Sequence, residues 1–146
     1  IAASLAKAGV ARLALHDANP ATADALAARL ATHFRGLALV TGTNDPSGHD
    51  IVVNATPMGM NPGDPLPFDV TRLSPDTFVG EVVMAREITP MLAAARARGC
   101  AVQIGLDMLH EMIPAYLDFF GLPSTDAATL RRLSRVGWRD AASGQA

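Results

Sequence analysis

The sequence predicts an α/β protein built on a doubly wound, mostly parallel sheet, finished at its C-terminal end by further helices. Three observations predict it. Short runs rich in Val, Ile and Leu recur without strict polar alternation, as in "GLALVTG", "DIVVNAT" and "TFVGEVVM"; such runs mark strands covered on both faces. Between them lie segments with apolar residues at helical spacing, opened by a capping residue and proline or closed by glycine. Strands that alternate with helices imply crossover connections and parallel pairing.

The elements follow in order. "IAASLAKAG" reads as a helix with Ile1, Leu5 and Ala8 on one face and Gly9 as its stop. A helix with no lead-in, opening on Ile1, points to a truncated chain. "ARLALHD" is a strand, and "NPATADALAARLATHF" is a helix capped by Asn19 and begun by Pro20, with Ala23, Leu26, Leu30 and Phe34 at helical spacing. "GLALVTG" and "DIVVNAT" are the next strands. The second runs into "PMGM", where Pro57 stiffens a turn and two methionines flank Gly59. The proline-rich "NPGDPLPFDVTRLSPD" reads as a surface loop with a short turn of helix. "TFVGEVVM" is a strand, "ITPMLAAARARG" a helix capped by Thr89, begun by Pro90 and ended at Gly99, and "CAVQIG" a strand. "DMLHEMIPAYLDFFG" and "TDAATLRRLSRVGW" are helices, with a kink or an internal restart at Pro114 in the first. No internal repeat or low-complexity segment interrupts the series.

Composition narrows the function classes. The chain has 146 residues, 49% hydrophobic and 18% charged, which suits one domain with a real core. A net charge of -2 argues against a general nucleic-acid binder. The arginines Arg131, Arg132, Arg135 and Arg139 read as a solvated helix face with Asp126 and Asp140 at its ends. One cysteine, Cys100, cannot form an internal disulfide, so a reducing compartment fits. The apolar runs are broken well before membrane-spanning length and the start lacks the order of an export signal, so the expected setting is cytoplasmic, with no membrane partner.

In an open sheet of this kind ligands sit beyond the carboxyl ends of the strands. The candidates are therefore His16-Asp17, Thr41-Gly42-Thr43, Asn54-Ala55-Thr56, Val82 to Met84, and Gly105. Asp17 is the sharpest of them. A carboxylate at a strand tip accepts hydrogen bonds from both adenosine ribose hydroxyls and repels a 2'-phosphate, which selects NAD over NADP. The plainer alternative is that Asp17 only helps begin the following helix. The Gly-x-Gly-x-x-Gly fingerprint of such sites is absent, and its natural place lies upstream of Ile1. His110 and Glu111 are adjacent and ionisable, but successive helical residues point about 100° apart, so both read as helix surface. His16 sits near an adenine or ends its strand. His33 and His49 have no partners at metal spacing, and no metal site is indicated.

In this order and at these separations, "DIVVNATPMGM", "GEVVMAREITPMLAAARARG" and "IGLDMLHEMIPAYLDFFG" resemble the cofactor-binding half of the shikimate dehydrogenase family. The resemblance implies a Rossmann-like cofactor domain over residues 1–104, lacking its first strand and glycine-rich loop. It also implies C-terminal helices over 105–146 that pack on that domain and toward an N-terminal substrate domain. The implied reaction is reversible hydride transfer between a nicotinamide cofactor and the keto group of a cyclohexene carboxylate. Asn54, Ala55 and Thr56 would lie beside the dinucleotide, with the Met-Gly-Met turn closing its pocket. Val82 matches a backbone contact to the nicotinamide part and Gly105 a glycine near the ring. Asp17 and Ala18 stand where NADP-using members carry Asn-Arg, and Thr22 where a further basic residue often occurs, so NAD is the implied cofactor.

The substrate-side positions depart from the family pattern. Met84 replaces a tyrosine and Met112 a glutamine that reach the substrate, Glu81 replaces an aspartate, and Arg86 a proline. Methionine is a poor substitute for either hydrogen-bonding group. Substrate hydroxyls left unpaired in a closed site cost on the order of 1 to 3 kcal/mol each. The implied substrate is a small hydroxy-carboxylate: shikimate, quinate or a relative with fewer hydroxyls. The family's catalytic lysine and aspartate belong to the upstream domain, and the single lysine here, Lys7, does not match. No catalytic residue is therefore expected in this chain, which alone should show little turnover. The sequence does not fix the oligomeric state, a homodimer being compatible with it. The competing class is a noncatalytic dinucleotide-binding or sensing module. A methylenetetrahydrofolate dehydrogenase-like cofactor half is a third, disfavoured by the Gly-x-x-Met-Leu helix.

Overall fold

Local capping sets the element boundaries of the computed structural model, which describes residues 1–134. These fall into two units, Ile1–Asp45 and a second that begins at Pro46.

In the first unit α1 (Ala2–Lys7) stops before Gly9, whose φ of 89° is the left-handed conformation that favours glycine. β1 (Arg12–Leu15) leads to α2 (Pro20–His33), where the Asn19 side chain accepts from the Ala21 amide and Pro20 takes the first position. Proline is tolerated there because the amide it lacks has no intrahelical partner anyway. α2 buries Ala23 and Leu30 and packs on β1 and β2 (Ala38–Thr41). The two strands are parallel, from Arg12 opposite Ala38 to Leu15 opposite Thr41.

The second unit is a three-stranded parallel sheet in the order β3-β4-β5, formed by β3 (Ile51–Asn54), β4 (Phe78–Glu81) and β5 (Ala101–Gln103). α3 (Pro90–Ala97) connects β4 to β5, with Thr89 as its cap and Pro90 at its start. Met91, Leu92 and Ala95 of α3 join Val79 and Cys100 in the core. α4 (Gly105–Phe119) and α5 (Ala127–Leu133) follow, the latter capped by Asp126. Arg131 ties them together, donating to Asp107 at 3.0 Å and Glu111 at 2.7 Å.

Every strand pairing among the described residues is parallel, as the alternation of elements predicts. Four details differ from the sequence expectation. The stretch 61–76 does carry a helical turn (Val70–Arg72), but Phe68, Val70 and Leu73 are buried in the core rather than lying at the surface. The Arg98 guanidinium and the Cys100 thiol donate to the carbonyls of Leu73 and Ser74, holding that irregular segment down. β4 ends at Glu81, so Val82 to Met84 is a connection. α4 starts at Gly105 and runs through Pro114 without a restart. His110, read as helix surface, is only 6% exposed. The last helix was expected to reach residue 138; Arg135, Arg139 and Asp140 lie outside the described residues.

Candidate functional site

Because β3, β4 and β5 run parallel, the segments that follow them leave the same edge of the sheet. Asn54, Val82 and Gly105 are brought together there. The Asn54 side chain, 2% exposed, braces the turn after β3. Its Oδ1 accepts from the Thr56 amide at 3.1 Å and the Thr56 hydroxyl at 2.6 Å, while its Nδ2 donates to the Met58 carbonyl at 3.0 Å. The Thr56 hydroxyl in turn accepts from the Met58 amide at 3.1 Å. Gly59 has a φ of 99°. Its amide and that of Asn61 both donate to Asp64 Oδ2, and these bonds, Asn61 first, hold the Asp64 carboxyl below its ordinary pKa. The polar atoms of Asn54 are thus engaged by the turn, and the residue presented at the edge is the exposed Ala55.

The next two segments interlock through backbone. The Val82 amide donates to the Asn54 carbonyl at 3.2 Å, extending the ladder by one bond past β4. A Cβ on Gly105 would lie 2.2 Å from the Val83 carbonyl oxygen and 2.8 Å from the Val82 carbonyl carbon, so only glycine lets the start of α4 approach this closely. The cap position of α4 is Ile104, which offers no side-chain acceptor, and Asp107 lies in the first turn. The first amides of α4 are therefore not held by a capping side chain. Met112 lies seven residues beyond Gly105, which returns it to the same helix face about two turns on. Met84 and Met112 are 48% and 39% exposed, available to a ligand rather than to the core.

Glu81, at the end of the central strand, is fully buried. Its Oε2 accepts from the Thr89 hydroxyl at 2.9 Å, and burial, only partly offset by that bond, pushes its carboxyl above the ordinary range. The sequence marked Glu81 as a replacement but did not foresee its partner. The signal for Glu81 itself was an acidic residue ending an apolar run. Asp64, the anchor of the glycine turn, had no comparable signal.

In the first unit, Asp17 follows β1 and Thr41 ends β2. Asp17 is half-buried, and its Oδ1 accepts from the Asn19 amide at 2.8 Å, which fixes the carboxylate just before α2. Ala18 beside it is exposed and places no charge there. The Thr41 hydroxyl donates to Asp24 at 2.6 Å. Among the described residues no group of three His, Cys, Asp or Glu could hold a metal, and no helix is long and apolar enough to cross a membrane.

Parallel strands with flanking helices, and loops gathered at one strand edge around an obligatory glycine, define the Rossmann-like α/β class. No family model matches the chain. It is 41% identical over 88 residues to the shikimate dehydrogenase (NADP(+)) of Acidiphilium cryptum, which covers 59% of this chain and 32% of that protein. It is 36% identical over 129 residues to the quinate/shikimate dehydrogenase (NAD(+)) of Corynebacterium glutamicum, covering 84% of this chain and 45% of that one. Among solved structures, quinate dehydrogenase from Corynebacterium glutamicum in complex with NAD superposes with a TM-score of 0.75 at 35% identity, over 90% of this chain and 48% of that one. The chain is thus a homologue of shikimate and quinate dehydrogenases, and it spans less than half the length of the curated relatives it matches.

Proposed function

We propose that this chain holds NAD for a shikimate dehydrogenase-like oxidoreductase that interconverts the alcohol and ketone of a cyclic hydroxy-carboxylate. The observation that carries the reading is the edge formed by the Asn54-braced turn, the Val82 to Met84 segment and Gly105. Gly105 keeps α4 against the Val82-Val83 backbone, and the uncapped start of α4 leaves amides for a polar group on the ligand. When bound, the nicotinamide supplies or accepts the hydride. Val82 contacts that half of the cofactor through its backbone, and Asn54, Ala55 and Thr56 line its approach. Met84 and Met112 face the substrate and read fewer of its hydroxyls than a tyrosine and a glutamine would. The acid-base pair comes from a substrate domain outside this chain, toward which the helices from residue 105 onward pack.

Asp17 selects the cofactor. Held by the Asn19 amide, its carboxylate accepts from the adenosine ribose hydroxyls and opposes a 2'-phosphate, while Ala18 offers that phosphate no cation. A relative named for NAD and another named for NADP both match the chain, so this choice is made residue by residue. The test is Asp17→Asn combined with Ala18→Arg in the full-length protein. The ratio of kcat/KM for NAD over NADP is expected to fall by about a hundredfold, the product of one lost and one gained charge-assisted contact of about 1.4 kcal/mol each. An unchanged ratio removes the role given to Asp17.

A further inference from the structure

Glu81 occupies a position that the cofactor reading leaves unused. It ends the central strand of the sheet, fully buried, with Oε2 bonded to Thr89 and Oε1 without a partner. Thr89, buried as well, does three things at once. Its hydroxyl donates to Glu81, accepts from the Leu92 amide at 3.3 Å and so caps α3, and its methyl stands 3.6 Å from where a Cβ on Gly59 would be. Glu81 also lies opposite Asn54 in the ladder, one residue before the Val82 amide that bonds the Asn54 carbonyl. The Thr89 side chain therefore ties the Glu81 carboxyl to the start of α3 and stands beside the turn around Gly59.

The chemistry of that side chain is unusual for its place. An ionised carboxylate inside a core needs a cation or several donors, and Glu81 has one donor. Neighbouring segments carry Asp64 beyond the glycine turn, Arg86 and Glu87 before α3, and Asp107 and His110 on α4. Burial raises the Glu81 carboxyl above its ordinary range, and the Thr89 bond offsets this only in part. A neutral acid satisfies the site with one orphan atom. An ionised one would place a charge there and favour any movement that admits water.

We propose that Glu81 is a positioning residue for the dinucleotide: through Thr89 it holds the turn around Gly59 and the Val82 to Met84 segment in place, and so sets cofactor affinity. The inference rests on the cofactor reading above. The proton on Glu81 keeps the arrangement closed. Because its folded pKa is raised, the folded chain keeps this proton over a pH range in which the unfolded chain has already lost it. The stability it contributes is full below the unfolded pKa and is lost as pH rises toward the folded one.

The experiment is calorimetric titration of the full-length protein with NAD and with NADP from acid to alkaline pH, alongside thermal midpoints. It compares the natural chain with Glu81→Gln, Thr89→Val and Thr89→Ser. The natural protein should bind about tenfold more weakly above the Glu81 titration than below it. Glu81→Gln, neutral at every pH, should bind tightly throughout and lose the fall of the midpoint that accompanies the Glu81 titration. Thr89→Val should bind weakly at every pH, and Thr89→Ser, which keeps the hydroxyl, should follow the natural profile. A Glu81→Gln profile that superposes on the natural one overturns the proposal. So does a midpoint that loses its pH dependence while NAD affinity in the natural protein is flat, since Glu81 would then be only a structural acid. No binding of either dinucleotide at any pH overturns the cofactor reading itself, and this inference with it.

Discussion

The two strand edges of the molecule carry their polar side chains in opposite ways. After β1 and β2, Asp17 is half-buried with a hydrogen bond to its own helix start, and Thr41 and Asp24 bond each other near the surface. After β3, β4 and β5, Asn54 and Glu81 are 2% and 0% exposed, and their partners lie on a turn and on α3. The difference separates selection from support. A residue that meets a ligand from an open edge can change its charge without disturbing the fold, whereas a residue that holds a turn from within cannot.

Substitutions along that gradient break or sharpen the contrast. The largest effect is expected from Gly105→Ala, because the new Cβ meets backbone that no rotamer change can move. A loss of about 3 kcal/mol in urea unfolding is expected, and a loss under 0.5 kcal/mol would show that α4 can shift freely. Asn54→Ala comes next. It strands the Thr56 amide and hydroxyl and the Met58 carbonyl in a half-buried turn, and should cost about 2 kcal/mol. Thr89→Val removes the α3 cap and the partner of Glu81 while keeping the side-chain volume, for a loss of about 1 to 2 kcal/mol. The smallest effect belongs to Asp17→Asn, which should leave stability within about 0.5 kcal/mol while lowering the preference for NAD. A stability loss there as large as that of Asn54→Ala would erase the distinction between the two edges.

Local chemistry made much of the fold readable in the sequence. Asn19-Pro20 and Thr89-Pro90 start helices because a side-chain acceptor and a missing amide both suit a first turn. Gly9 and Gly99 follow helices because both adopt a positive φ. What escaped the sequence depends on partners distant along the chain. β4 stops at Glu81, short of the apolar Val82-Val83, whose backbone closes on Gly105. The proline-rich stretch buries Phe68, Val70 and Leu73 because Arg98 and Cys100 donate to its carbonyls. His110 is buried although its neighbour Glu111 is exposed. In the site, the strand ends and Gly105 could be located from pattern. The link between Glu81 and Thr89 could not, because nothing in their spacing says that a carboxyl and a hydroxyl on different elements will meet in the core.

The most direct test of the central claim is a set of initial rates on the full-length protein, with NAD and NADP each offered against shikimate, quinate and analogues that carry fewer ring hydroxyls. NAD-dependent oxidation of at least one of these, faster than with NADP, is the predicted result. Faster turnover with NADP would contradict the role of Asp17. No oxidation of any of them, with NAD still bound, would contradict the enzyme reading and leave a dinucleotide-binding module in its place.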